Sequence, residues 1–93
     1  MITWALTTVI TSTGAERTVD GHSDDRPRAV RAVTAAARTA VANVHHKDIL
    51  PIYVLTVERQ TISILSTGRD SQGKPDRYAL LAAIDQIEAR STT

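Results

Sequence analysis

Alternating apolar and polar residues at the start of the chain predict a β-strand. Ile2, Trp4 and Leu6 alternate with threonine and alanine, and "STG" at 12–14 is a turn signal. The segment "AERTVDGH" after this turn can return as a short polar strand, in which Val19 is the one large apolar residue. We therefore predict one strand here, followed by a second strand that the pattern leaves open.

The middle of the chain has the periodicity of an amphipathic helix. Between Arg28 and Val44 the apolar residues recur every three or four positions and form one stripe. "SDD" at 23–25 supplies N-cap residues, and Pro27 follows where a first-turn proline is tolerated. We predict that the helix ends between residues 43 and 46. Its inward side chains are Val30, Val33, Ala36, Ala37, Ala40, Val41 and Val44.

The second half of the chain repeats the order of strands and helix. "LPIYVLTV" begins a strand at a proline, "ERQ" turns the chain, and "TISILS" returns as the second strand of a hairpin. "DRYALLAAIDQIEAR" is helical, and residues 91–93 form a tail that we expect to be frayed. The side chains of this helix that face inward are Leu80, Ala83, Ile84 and Ile87.

This order of elements predicts one α+β domain over residues 1–93. We expect two layers, a mainly antiparallel sheet of three or four strands with both helices on one face. The strand at 52–57 is apolar on both sides, with Ile52 and Val54 on one and Tyr53, Leu55 and Val57 on the other. We assign the second set to the face without helices and expect it to form a homodimer interface, since a small core gains stability from association.

Composition excludes several classes of protein. The chain has 93 residues, 42% of them hydrophobic, and a formal net charge of +1. It has no cysteine, which excludes disulfides and cysteine-ligated zinc. Its first residues lack a signal-peptide pattern, and no apolar run has the length of a membrane span. We therefore expect a globular cytoplasmic protein without membrane association.

The charge is unevenly distributed along the chain. Residues 26–47 carry five Arg or Lys and no acid. On a helical wheel Arg28, Arg31 and Arg38 share one flank and are separated there by alanines, which let a surface approach closely. Clustered arginines of this kind contact nucleic-acid phosphates or acidic protein surfaces. The solvated side of an ordinary helix explains them equally well, and a pI near 8.2 is low for a nucleic-acid-binding domain.

The sequence patterns that resemble binding or catalytic sites lack residues or spacings that such sites need. "GRDSQGKP" has the spacing of a phosphate-binding loop, but Pro75 stands where magnesium needs a hydroxyl and also removes an amide. His45 and His46 would point about 100° apart on a helix and do not suit one metal ion. No serine or threonine has a histidine at a readable spacing. We predict no metal, no cofactor and no catalytic residue.

Three hypotheses for the function remain open after these exclusions. The favoured one is a small non-enzymatic interaction module that self-associates through its sheet. The first alternative is a regulatory protein that binds nucleic acid, or an acidic protein partner, through Arg28, Arg31 and Arg38. The second alternative is an enzyme whose active site is assembled between two copies.

Overall fold

Four strands and two helices follow one another in the order β-β-α-β-β-α, which confirms the predicted α+β fold with an antiparallel sheet. The computed structural model describes residues 1–44 and 49–91. The second strand, which the sequence left open, is as long as the first, at nine residues each. The elements are β1 (Ile2–Ile10), β2 (Ala15–Ser23), α1 (Arg26–Ala42), β3 (Ile52–Val57), β4 (Gln60–Ser66) and α2 (Arg77–Ser91).

The sheet has the strand order β2-β1-β3-β4, and all neighbouring strands are antiparallel. Leu6 at the centre of β1 pairs with Val19 on one side and with Leu55 on the other, so these three side chains lie on one face. The β1–β2 turn contains Gly14 at φ 73°. The β3–β4 turn has only two residues, Glu58 at φ 55° and Arg59 at φ 63°, the geometry of a type I′ turn.

Both helices begin at aspartate caps, as their sequences predict. The Asp25 carboxylate accepts a hydrogen bond from the Arg28 amide at 2.9 Å, with Pro27 in the first turn. The Asp76 carboxylate accepts one from the Ala79 amide at 3.1 Å. Helix α1 ends at Ala42 with Asn43 as its C-cap, at the start of the predicted range. Of the predicted tail, residue 91 closes α2, whereas 92 and 93 lie outside the described residues.

The core lies between the sheet and the two helices. Helix α1 packs across β1 and β3, and α2 packs against α1 and β4. Thr34 is a buried polar residue of α1, and its hydroxyl donates to the Arg31 carbonyl at 3.0 Å, so its polarity is satisfied within the helix. The buried apolar side chains are Leu6, Ala29, Val30, Val33, Ala37, Val41, Tyr53, Leu55, Val57, Leu80 and Ile84.

One close approach depends on glycine. The Trp4 side chain of β1 lies over Gly21 of β2, with which it pairs in the sheet. A Cβ atom at position 21 would lie 2.6 Å from Cζ2 of the indole, well inside van der Waals contact. Gly21 therefore provides the space in which the only tryptophan of the chain packs.

The structure corrects the assignment of the two faces of β3. Tyr53, Leu55 and Val57 are buried beneath the helices, so the prediction that they lie on the uncovered face of the sheet is wrong. Ile52 and Val54 face outward instead and are half-buried. Because β3 is apolar on both sides, its own alternation does not distinguish the faces. The pairing of Leu6 with Leu55 does, since it aligns both side chains toward the core.

Candidate interaction surfaces

Two of the three flank arginines are engaged by carboxylates of the same chain. Arg28 lies at the start of α1, where its guanidinium is 3.2 Å from the Asp24 carboxylate and 3.7 Å from that of Asp25. All three side chains remain more than half exposed, so these pairs contribute little to stability. They nevertheless place negative charge beside the cation that was expected to attract a phosphate.

Arg38 is held by the second helix. Its guanidinium donates to the Asp85 carboxylate at 2.8 Å and forms a closer hydrogen bond with Glu88. Hydrogen bonds donated to these two carboxylates raise the pKa of Arg38 above its ordinary value, and the side chain is charged at every accessible pH. The cluster joins α1 to α2, and its role in this geometry is to hold the helices together.

The remaining member of the flank stands alone. Arg31 is exposed, and its side chain forms no hydrogen bond or ion pair within residues 1–44 and 49–91. The flank carries Arg28, Arg31 and Arg38 along one side of α1 by helical spacing. It also brings four carboxylates to the same side, which the sequence pattern did not indicate. The formal charges of the three arginines are therefore opposed by four carboxylates, which does not favour the binding of a phosphate.

The loop between β4 and α2 is closed by its own carboxylate. Asp70 accepts hydrogen bonds from the amides of Gln72 at 2.8 Å and Lys74 at 2.9 Å. These are the backbone donors that a phosphate-binding loop would offer to its ligand. The Gly73 carbonyl accepts from the Arg69 guanidinium at 2.8 Å, and Gly73 has φ 77°. The segment is a turn built around Asp70, whose carboxylate occupies these backbone donors.

The outer face of the sheet carries an uncovered apolar stripe. Val54 at its centre pairs with Ile64 of β4, and Ile52 pairs with Val9 of β1 on the same face. Ile64 is 61% exposed, although it is a large apolar side chain, and the other three are half-buried. Small polar threonines surround the stripe, including Thr7, which pairs with Val54. We name these four residues, Val9, Ile52, Val54 and Ile64, the outer stripe.

A second opening lies on the helix side of the sheet. Strand β2 extends beyond α1, so a groove of about 460 Å³ runs between this helix and the strand. Val19 lines the groove and is 44% exposed, although it pairs with the fully packed Leu6. Ala36 and Ala40 of α1 form its opposite wall, and the Arg17 side chain lines it from β2. Val19, the one large apolar residue of a polar strand, is the sequence signal that could have indicated this groove.

The backbone of β2 has a free edge whose hydrogen-bonding groups can be assigned. The Glu58 amide, next to β3, donates to the Thr3 carbonyl at 2.8 Å, so Thr3 directs its backbone groups toward β3. Backbone direction alternates along a strand, which makes Leu6 point to β2 and its partner Val19 point back to β1. The residues of β2 whose N–H and C=O groups face the free edge are therefore Glu16, Thr18, Asp20 and His22.

Burial perturbs one titratable group of the core. Desolvation raises the pKa of the Tyr53 hydroxyl above its ordinary value of 10.0, and the nearby Arg77 charge opposes this effect. The Arg77 guanidinium also donates to the Val44 carbonyl, beyond the end of α1. This arrangement has the character of a packed core residue, because Tyr53 is enclosed by the two layers and lines neither of the openings described above.

The described residues offer neither a metal site nor a membrane-spanning helix. In the described ranges, no cluster of three or more histidine, cysteine, aspartate or glutamate side chains is placed to hold a metal ion. His45 and His46 lie outside these ranges. No helix of the described part is long and apolar enough to cross a membrane.

Comparisons with known proteins add no further information. No known protein family matches this chain, and no similar protein was found among curated proteins or among solved structures.

Proposed function

We propose that this protein is a small non-enzymatic interaction module that self-associates through its sheet. The observation that carries this proposal is the outer stripe, in which Ile64 exposes 61% of its surface next to Val54 and Ile52. Apolar side chains that are contiguous on a flat sheet face gain free energy when a second surface covers them, at roughly 25 cal/mol per Å² removed from water. A second copy presents the same stripe and supplies a matching apolar surface.

The outer stripe lies on the opposite face of β3 from the side chains that the sequence analysis assigned to the interface. The physical reason for association, an apolar sheet face that no helix covers, is the same. A two-layer fold leaves one face of its sheet without helices, and Val54 on this face is a β-branched apolar residue at the centre of four strands. Stacking of two such faces at about 10 Å would bury the stripe of each copy. We expect self-association in the micromolar range or tighter, in cytoplasmic conditions of salt and pH.

The test is sedimentation equilibrium on the intact chain and on the Ile64→Asp variant. Ile64 is already well exposed, so an aspartate there remains solvated in the single subunit but places two like charges in the stacked interface. We expect a lower mass with an unchanged circular dichroism spectrum. Thr3→Asp puts the same charge on the same face outside the stripe and is the matched control. Equal masses for the native chain and the Ile64→Asp variant would refute assembly through this face.

Nucleic acid is the alternative partner, and the ion pairs of the flank weigh against it. Arg28 and Arg38 each face two carboxylates, which leaves Arg31 as the member free to neutralise a phosphate. The same reasoning disfavours an acidic protein partner. A gel-mobility shift that is present at low salt and lost in the Arg31→Glu variant would revive this alternative.

A further inference from the structure

We propose that the free edge of β2 pairs with β2 of a second copy, antiparallel, with Val19 opposite the partner's Val19. This contact would join two four-stranded sheets into one of eight strands. The inference rests on the proposed self-association and adds a second contact to it, at the edge of the sheet and separate from the outer stripe.

The two edges of the sheet differ in a way that favours β2. Strand β4 carries a β-bulge, because Leu55 pairs with Ser63 and the next residue, Thr56, pairs with Thr61. Bulges are one of the devices that keep an edge strand from pairing with another chain. Strand β2 keeps an unbroken register over all nine residues and contains no proline. Its edge is therefore long, regular and open to a further strand.

The free backbone groups of β2 suit a symmetric antiparallel ladder. Glu16, Thr18, Asp20 and His22 direct their N–H and C=O groups outward, as derived above from the Thr3–Glu58 hydrogen bond. A twofold axis perpendicular to the sheet keeps the helices of both copies on one side. With that axis at Val19, each outward residue meets an outward residue of the partner, as a hydrogen-bonded antiparallel ladder requires.

Charge favours this register over the two adjacent symmetric ones, with the axis at Thr18 or at Asp20. With the axis at Val19, Glu16 lies opposite the partner's His22, and Thr18 lies opposite the partner's Asp20. A shift of the axis to Thr18 would place Glu16 opposite the partner's Asp20. A shift of the axis to Asp20 would place Asp20 opposite the partner's Asp20. Directly opposed like charges destabilise a pair of strands, whereas opposite or neutral pairs stabilise it.

The helix side of the sheet gains complementary contacts in the same register. Arg17 lies opposite the partner's Gly21, over which the partner's Trp4 packs. Arg17 is exposed and has no ion pair within the described part of the chain. Its guanidinium would reach that indole, where a position over the ring face gives a favourable contact between a cation and an aromatic ring.

The groove between α1 and β2 is incomplete in one subunit and is closed by the second. Val19, 44% exposed in the single chain, would meet the partner's Val19 across the new strand pair. The two grooves of about 460 Å³ each would then merge into one channel between the two α1 helices, with the paired valines as its floor. The partner copy thus contributes residues to a cavity that one copy leaves open at its edge.

The test separates the edge contact from the stacked face by combining variants. Asp20→Pro removes one outward N–H from each chain and leaves the pairing of β2 with β1 intact, because that amide faces away from β1. Asp20→Asn removes the same charge but keeps the N–H group and is the matched control. Both are measured by sedimentation equilibrium in the native chain and in the Ile64→Asp background.

We expect the native assembly to contain four copies, because it uses both the stacked face and the β2 edge. The Ile64→Asp variant should form pairs through the β2 edge. The variant with both Ile64→Asp and Asp20→Pro should be monomeric, with the edge contact weakened at least about tenfold. Ile64→Asp with Asp20→Asn should remain paired. Monomers in Ile64→Asp alone would overturn the edge contact and leave the stacked face standing. Monomers in Asp20→Pro alone, with pairs in both the native chain and Ile64→Asp, would support the edge and refute the face.

Two further measurements test the register itself. Glu16→Lys and His22→Glu should each weaken association, and the double variant should restore it, since lysine at 16 then faces glutamate at 22 of the other copy. Arg17→Ala should weaken association roughly two- to fivefold and remove the concentration dependence of fluorescence from the single tryptophan. Disruption by Asp20→Pro without recovery in the double variant would overturn the pairing of Val19 with the partner's Val19.

Discussion

Two neighbouring residues of β3 should respond to the same substitution in opposite ways. Leu55 is 0% exposed and faces the helices, whereas Val54 faces outward on the outer stripe and is half-buried. An aspartate at position 55 should unfold the subunit. An aspartate at position 54 should leave the subunit folded and act on its assembly instead.

The expected magnitude at Leu55 follows from its burial. Truncation of a fully packed leucine to alanine costs roughly 2–5 kcal/mol, part of it for the cavity that remains. A carboxylate without a partner in that place adds several kcal/mol for lost hydration. A domain of this length has a total stability of roughly 5–14 kcal/mol. Leu55→Asp therefore removes most or all of the folding free energy, and Leu55→Ala removes a measurable part.

The cost at Val54 is smaller because its side chain reaches solvent. Loss of β-propensity and of partial burial amounts to roughly 1–2 kcal/mol, which leaves the fold intact. Urea unfolding followed by far-ultraviolet circular dichroism measures all three variants. It is carried out at low protein concentration, because any assembly adds to apparent stability by mass action. A folded Leu55→Asp together with an unfolded Val54→Asp would refute the assignment of the two faces.

Three further predictions concern the fold. Gly21→Ala would place a Cβ atom 2.6 Å from the Trp4 ring, which must then move, and should destabilise the subunit by roughly 1–3 kcal/mol, with a shifted tryptophan emission spectrum; an unchanged urea midpoint would contradict it. The raised pKa of Tyr53 means that the native state holds this proton longer than the unfolded chain. The contribution of Tyr53 to the free energy of unfolding should therefore be fully present below pH 10 and be lost as the pH rises through the native pKa. Tyr53→Phe should remove this loss of stability at alkaline pH, as measured by urea unfolding. Arg59→Gly relieves the strain of the left-handed backbone at φ 63°. It should raise the free energy of unfolding by roughly 0.5–1 kcal/mol, seen as a higher thermal midpoint, whereas Arg59→Ala should not.

Much of the architecture was predictable because it depends on local signals. Helical periodicity and aspartate caps located α1 to within two residues, since Asp25 and Pro27 act on neighbouring backbone atoms. Turn residues separated the strands for the same reason. The sequence could not establish that β2 is a strand, because its alternation is polar on both faces and its pairing with β1 provides the missing free energy.

The surfaces required the tertiary structure, because they depend on residues that are distant in sequence. The carboxylates of Asp85 and Glu88 stand 47 and 50 positions from Arg38, and no spacing rule connects them. The inward face of β3 was decided by its alignment with β1 and by the helices above it.

The sequence by itself determined the two helices, three of the four strands, their order and the two-layer class. Each of these follows from side chains that act on their own segment of backbone. Tertiary packing decided that Leu55 is core and Val54 is surface, that the basic flank is balanced by acids, and that Val19 lies in an open groove. These outcomes depend on which strands and helices meet, and the pattern of one segment does not contain that information.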